Sequence, residues 1–368
     1  MLNLLILCAR DNPFAIVNMK LYVNARFLTQ PVSGVQRYGI ECCRKIKKKH
    51  QECVFLAPPD IYNKEVAEEL GVTIIGRRKG HAWEQIDLPL YLARHRWPPL
   101  FNPCNTAPLL YSNNYVTLHD LAFYHHPEWN TKKFATWYNI LVPRIVRGAK
   151  HIFTVSETIR REIIDIYRAP AAQVSVTYNG ISTQMLAHKR TDRPKQRLIL
   201  SVGSFNKRKN HHSLIKAFCE SGLKDTWQLV MTGDKNKVFS ETGINEQDLQ
   251  RDHITVLRDV PEAELMDVYG RAEIVVSLSL YEGFGIPVLE GLYHGCKVVC
   301  SDIPVYRELF SDVATFCDPL DIPAIVRAIE TCANGPAPDS ARVAALCDKF
   351  NYDTAAGIII REMMKRSA

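Results

Sequence analysis

Glu282 and Glu290 bracket the stretch of this chain best suited to chemistry: Glu282-Gly-Phe-Gly-Ile-Pro-Val-Leu-Glu290. Gly283 and Gly285 carry no side chain and let backbone come close to a ligand. Pro287 suits the first turn of a helix, where its missing N–H costs nothing. The open amides between Phe284, Ile286 and Val288 would then point outward and favour an anion. A carboxylate repels phosphate but accepts hydrogen bonds from sugar hydroxyls. Phosphates flanked by polyols describe a nucleotide sugar. The bland alternative is a solvated loop carboxylate and a glutamate suited to a helix dipole. Two carboxylates within this glycine pattern favour the ligand reading.

The elements that must hold these residues are short. Ile274-Val-Val276 reads as a buried strand before the loop, and Lys297-Val-Val-Cys300 as the strand after it. Gly295 suits the position just past the helix. This is a βαβ unit whose loop lies at the carboxyl end of a strand, where open α/β sheets take ligands. A second candidate follows the strand Leu198–Val202. Gly203-Ser204-Phe-Asn-Lys207-Arg208-Lys209 puts a glycine and three cations ahead of a helix, as a phosphate site would. A third is the Gly34 loop, with Ser33 as helix cap. That helix runs through Arg44-Lys-Ile-Lys-Lys-Lys49, which is either a solvated end suited to the dipole or a contact with acidic lipid headgroups. A fourth is His119-Asp120, where the strand Tyr115–Leu118 ends. A lone histidine is more often structural, but the carboxyl end of a strand in a βα unit is also where a substrate contact would stand, with Asp120 orienting backbone or His119. Trp83, Cys296 and Cys300 read as core.

The chain has 368 residues, enough for two domains. No apolar run reaches the ~20 residues of a membrane span. Eleven cysteines without C-x-x-C favour a reduced, cytoplasmic setting. Residues 1–180 hold 23 Lys and Arg against 14 Asp and Glu, whereas 181–368 hold 23 against 25. The basic half suits an anionic membrane surface or a phosphate-bearing lipid acceptor. Nothing in it resembles a nucleic-acid motif. Residues 1–18 lack the basic start and cleavage site of a signal peptide and read as a disordered or non-native extension ahead of Met19. Strands and helices alternate throughout, which implies parallel sheets with right-handed crossovers.

Glu282-Gly-Phe-Gly-Ile-Pro-Val-Leu-Glu290 resembles the E-x7-E signature of glycosyltransferase family 4, retaining sugar transferases of the GT-B fold. The resemblance runs from about Met19 to the C-terminus and is densest from Leu198 to Glu308. It implies an α/β protein of two Rossmann-like domains whose parallel sheets face across a cleft. The expected division is an acceptor-side domain at 19–182, a nucleotide-sugar domain at 183–350 and a returning helix at 351–368, with Thr183 to Lys195 as linker. It also implies roles. His119, Glu282 and Lys209 would serve the reaction. Gly34, Gly203, Ser204, Arg208, Lys209, Arg258, Gly283, Phe284, Gly285, Ile286 and Glu290 would hold the donor. Ser204 stands where many members carry Arg; Arg208 is the preferred substitute, with Lys207, or a subset that uses fewer cations, as the alternatives. No Asp-x-Asp occurs, so neither metal nor other cofactor is expected. The reading is hexosyl transfer, with GDP-mannose the preferred donor, to a glycan or lipid-linked glycan in bacterial surface polysaccharide synthesis. It places the protein in the cytoplasm or on the inner face of the membrane. The alternatives are an epimerase or hydrolase on the same fold, or a non-catalytic nucleotide-sugar binder. A dinucleotide-binding dehydrogenase is disfavoured because the loop lacks a third glycine.

Overall fold

Runs of β-branched and aromatic residues buried on both faces force parallel strands with helical crossovers. The computed structural model describes residues 20–188, 194–233 and 253–365. The first sheet contains β1 (Leu21–Asn24), β2 (Cys53–Ala57), β3 (Thr73–Ile74), β4 (Leu100–Asn102), β5 (Asn114–Leu118), β6 (His151–Thr154) and β7 (Val174–Val176). Their order is β3-β2-β1-β4-β5-β6-β7. The second contains β8 (Gln196–Val202), β9 (Gln228–Gly233), β10 (Ile254–Arg258), β11 (Ala272–Ser277), β12 (Lys297–Ser301) and β13 (Thr315–Cys317), in the order β10-β9-β8-β11-β12-β13. Every pairing is parallel. The order reverses between β1 and β4 and again between β8 and β11. Those reversals open crevices at the strands' carboxyl ends.

Local chemistry sets the helices that matter. Helix Gly34–Lys49 starts at Ser33, whose N–H donates to Gln36 Oε1 at 3.3 Å. Helix Ile286–Tyr293 has Gly285 as its N-cap and Pro287 in its first turn. Gly295, just beyond it, is left-handed with φ 75°. Trp83, Cys296 and Cys300 are buried, as expected.

The linker differs from expectation. Ser182 caps a short helix, Thr183–Ala187, by accepting from the Met185 N–H at 3.1 Å. Of the last two helices, Tyr352–Lys365 packs on helix Gly34–Lys49, while Ser340–Lys349 stays on the second half against Ile286–Tyr293. Part of the basic run of the first long helix is paired with neighbours, while Lys47, Lys48 and Lys49 stay exposed. Arg44 pairs with Glu41 at 2.8 Å and Glu69 at 2.7 Å, and Lys45 pairs with Asp353 at 2.7 Å. Lys47 Nζ donates to the Glu69 carbonyl at 2.6 Å. The expected extension at 1–18 lies outside the described residues.

Candidate active site

The loops leaving β8 and β11 meet at the second sheet's reversal and line a cleft of about 640 Å³. Gly34, Arg37, His119 and Asp120 supply the opposite wall, from the first half. The expected residues therefore converge, with one exception. Arg258 ends β10 with its side chain exposed, and Asp259 and Val260 line the cleft instead. Side chains alternate along a strand, so register decides which one reaches a ligand.

At the centre is a buried charge cluster. Lys209 Nζ donates to Glu282 Oε1 at 2.6 Å, and Arg208 Nη1 donates to Oε2 at 2.9 Å. Asp120 stands at the rim, 3.8 Å from the same guanidinium. Burial pushes the Glu282 carboxyl up, but the two cations hold it at about 2. It is ionised at neutral pH, outnumbered by the two cations bonded to it. Lys207 points to solvent, so Arg208 is the cation the loop turns inward. The loop's shape explains this. Asn206 Oδ1 accepts from the Lys209 N–H at 3.1 Å, and a β-carbon at Gly203 would stand 3.0 Å from Lys209 Cε. Gly203 makes room for the lysine stem.

Glu290 lies deeper in the crevice and is 4% exposed. Tyr269 Oη donates to its Oε2 at 2.9 Å. Burial pushes this carboxyl up, against the pull of nearby Arg37 and the Tyr269 hydrogen bond. Arg37 reaches across from the first half to pair with Glu262. Charges of Glu290 and Glu262 raise its pKa against the opposing effect of burial.

His119 Nε2 is 2.8 Å from the Pro103 carbonyl. A carbonyl only accepts, so Nε2 carries the proton and Nδ1 keeps a lone pair. Burial pushes the imidazole's pKa down, which favours the neutral ring. The Tyr38 ring meets it edge-on at 4.8 Å. Asp120 Oδ1 accepts from the Ala122 N–H at 3.1 Å, so it orients backbone.

The glycines of the loop serve the protein's own packing. A β-carbon at Gly283 would stand 2.0 Å from the His119 carbonyl oxygen, and one at Gly285 would stand 2.6 Å from the Tyr306 ring. Gly283 thus permits contact between the two halves, and it also lines the cleft. Gly34 faces Ile286, where an added β-carbon would be 3.4 Å from Cδ1. Phe284 is buried against Phe350, so it offers the cleft backbone, not ring. The Val288 and Leu289 N–H groups turn back to the Gly285 carbonyl at 3.0 and 3.3 Å. Ile286 itself lines the cleft wall, beside a proline that has no N–H.

A second, polar pocket of about 290 Å³ adjoins the cleft, and Ser33 and Val35 line both. It was not foreseen. Glu84 stands there on a π-helical turn, Trp83–Asp87. Its Oε1 accepts from Arg26 Nε at 3.1 Å, Asn24 Nδ2 at 2.8 Å and Thr106 Oγ1 at 2.9 Å. Although burial opposes it, the Arg26 charge and the His81 contact hold this carboxyl at about 2. The one signal in the sequence was a Glu-Gln pair directly after a core tryptophan.

Two parallel α/β sheets facing across a cationic crevice flanked by carboxylates define a two-domain GT-B protein. Residues 185–345 match the family model "Glycosyl transferases group 1", and residues 32–185 match "Glycosyltransferase Family 4". The chain belongs to glycosyltransferase family 4. It is 30% identical over 218 residues to the O-antigen chain mannosyltransferase RfbU of Salmonella typhimurium, covering 59% of this chain and 60% of that one. It is 28% identical over 226 residues to O-antigen chain mannosyltransferase B of Escherichia coli, covering 57% and 58%. The matches thus span about 60% of these relatives' length. The Anabaena Alr3699/HepE structure, solved in complex with UDP-glucose, superposes with a TM-score of 0.71 at 15% identity, covering 94% of this chain and 99% of that one. That likeness is one of fold.

Proposed function

We propose that this chain transfers a hexose from a nucleoside-diphosphate sugar to a glycan acceptor, with retention at the anomeric carbon and without a metal. The observation that carries the reading is the cluster of Lys209, Arg208 and Glu282 facing His119 across one cleft. The bond from the anomeric carbon to the diphosphate breaks, and one to the acceptor oxygen forms. Negative charge grows on the leaving phosphate, and Lys209 and Arg208 stand ready to stabilise it. The acceptor's proton leaves on a phosphate oxygen. Glu282 orients both cations and accepts from sugar hydroxyls as the diphosphate draws those cations away. His119 offers Nδ1 to the sugar from the opposite wall. Glu290 accepts from the ribose hydroxyls.

GDP-mannose is the donor we favour, because both relatives described above are named as mannosyltransferases. The same names support a glycan or lipid-linked glycan of a surface polysaccharide as acceptor. The ten described cysteines are all free thiols, which supports a cytoplasmic setting.

Calorimetry against a panel of sugar nucleotides, with chelator present, tests the reading. One donor should bind, and Lys209→Ala should reduce its turnover by about 100- to 1000-fold. Product NMR should show the donor's anomeric configuration. Binding only with added metal, or an inverted product, would refute the mechanism.

A further inference from the structure

The segment after His119-Asp120 holds most of its aromatic rings out of the core. It forms a short helix, Ala122–His125, and a tight turn, Pro127–Trp129. Phe123 is buried, whereas His125 is exposed and His126 and Trp129 are half-buried. The His126 and Trp129 rings stack, with centroids 3.8 Å apart and planes 10° apart. Tyr281, from the loop of the second half that carries Glu282, completes the patch. Its ring lies 5.5 Å from that of His125 and 6.0 Å from that of His126. Its Oη accepts from the Leu121 N–H at 3.1 Å and donates to Glu162 Oε2 at 2.6 Å, so the ring is fixed. Carboxylates edge the patch. Glu162 Oε2 is 3.1 Å from His125 Nε2, and Glu128 Oε1 is 3.2 Å from His126 Nδ1. The Glu128 side chain is 61% exposed. The transfer chemistry described above uses none of these groups.

A pyranose has an apolar C–H face and a rim of hydroxyls. The face buries against flat aromatic surface, and the hydroxyls donate to carboxylates. Stacked, accessible rings edged by carboxylates offer both. We propose that this patch binds one sugar unit of the acceptor glycan, beyond the unit that receives the hexose. The assignment rests on the transferase reading above. Place argues for acceptor over donor. Arg208, Lys209 and Glu290, which would take the donor's phosphates and ribose, line the cleft, whereas the stacked rings stand outside it. The patch joins the cleft through Tyr281, next in the chain to Glu282, whose carbonyl accepts from Arg208 Nη1 at 3.4 Å. Charge argues for a neutral sugar over a phosphate, because Glu128 and Glu162 would repel an anion. The patch also draws on both halves of the molecule. A sugar that touches His126 and Tyr281 together binds better when the two walls face each other, so the acceptor would favour the arrangement that the donor needs.

The test is saturation-transfer NMR of the full chain with mannotriose, maltotriose and chitotriose, in the absence of donor. At least one should take up saturation through its C–H protons. Trp129→Ala should weaken that trisaccharide's binding about fivefold or more, and Trp129→Phe, which keeps a ring face, should restore much of it. His126→Ala, at the other ring of the stack, gives an independent variant should Trp129→Ala fail to fold. No transfer to any of the three, or parent-like affinity in both alanine variants, would overturn the proposal. Loss of the signal on adding GDP would do the same, because the sugar would then sit in the donor cleft. So would a dimer in sedimentation velocity that Trp129→Ala dissolves, because the patch would then be a self-association face. Donor calorimetry separates the two readings. A chain that binds a trisaccharide but no sugar nucleotide keeps the saccharide site and loses the transfer. One that binds a sugar nucleotide but no trisaccharide keeps the transfer and loses the site.

Discussion

The molecule buries two ionic clusters side by side, and they differ in whether they are complete. In the polar pocket one carboxylate, Glu84, meets one guanidinium, Arg26, and the amide and hydroxyl donors around it belong to the same domain. In the cleft one carboxylate, Glu282, is shared by two cations on a neighbouring loop. Glu290, on the next helix, holds one tyrosine hydroxyl close to it and lies in the field of an arginine that pairs with Glu262. The first cluster satisfies itself. The second has positive charge at one end and an under-bonded carboxylate at the other, which is the pattern of a diphosphate with a ribose attached. Burial alone therefore does not distinguish structural charge from functional charge; the balance of partners does.

The sharpest test of that difference removes each carboxylate in turn. Glu84→Ala leaves Arg26 buried without its counter-ion, and Glu282→Ala leaves two cations so. Each should cost about 3–5 kcal/mol of stability. The losses should part when a nucleoside diphosphate is added. An anion in the cleft can replace Glu282, so its variant's melting temperature should recover by more than ordinary ligand stabilisation of the parent. Glu84→Ala should gain only what the parent gains. Equal recovery in both would erase the distinction between the clusters.

The next contrast is in pH. Glu84 and Glu282 have folded pKa values near 2, below the ~4.3 of an unfolded glutamate. Their contribution is present above that unfolded value and is lost as pH falls toward 2. Glu290 runs the other way, because its folded pKa is raised. What it contributes is present below the unfolded value and lost as pH rises through the folded one. Glu290→Gln should therefore melt higher than the parent at pH 7 and equal it near pH 4. The same substitution should weaken donor binding. A variant that melts lower at pH 7 would show that Glu290 is held by partners after all, and would place it with Glu84.

The sequence disclosed the second site better than the first for a physical reason. Gly203, Arg208 and Lys209 lie within one loop, and Glu282 to Glu290 within another. The predicted strand ends bring those loops together. Pro287, Gly295 and Ser33 mark helix ends through local backbone rules, and all three stand where those rules put them. The Arg26–Glu84 pair joins residues 58 apart, and Arg37–Glu262 joins residues 225 apart. No local pattern encodes such partners. Gly283 was visible, but its reason was not, because the carbonyl it accommodates belongs to His119 on the other domain.

The smallest expected effect concerns how the two walls are kept facing each other. Glu308, from helix Pro304–Phe310 of the second half, reaches helix Glu157–Tyr167 of the first. Its carboxylate accepts from the N–H groups of Glu157 at 2.8 Å and Thr158 at 2.6 Å, and from Thr158 Oγ1 at 2.6 Å. Ser156 Oγ takes the Ile159 N–H at 3.3 Å, so the helix start is capped jointly from within and from across the cleft. A carboxylate at a helix N-terminus contributes about 0.3–1 kcal/mol. Glu308→Gln keeps an acceptor oxygen but loses the charge. It should raise the KM for donor by roughly two- to fivefold, the same energy expressed as affinity, and leave kcat unchanged. Donor binding uses both walls, whereas the cations that act on the leaving group sit on one. A fall in kcat without change in KM would mean instead that Glu308 holds the catalytic loops themselves, and the walls would have to be aligned by other contacts, such as Tyr281 Oη to Glu162 at 2.6 Å.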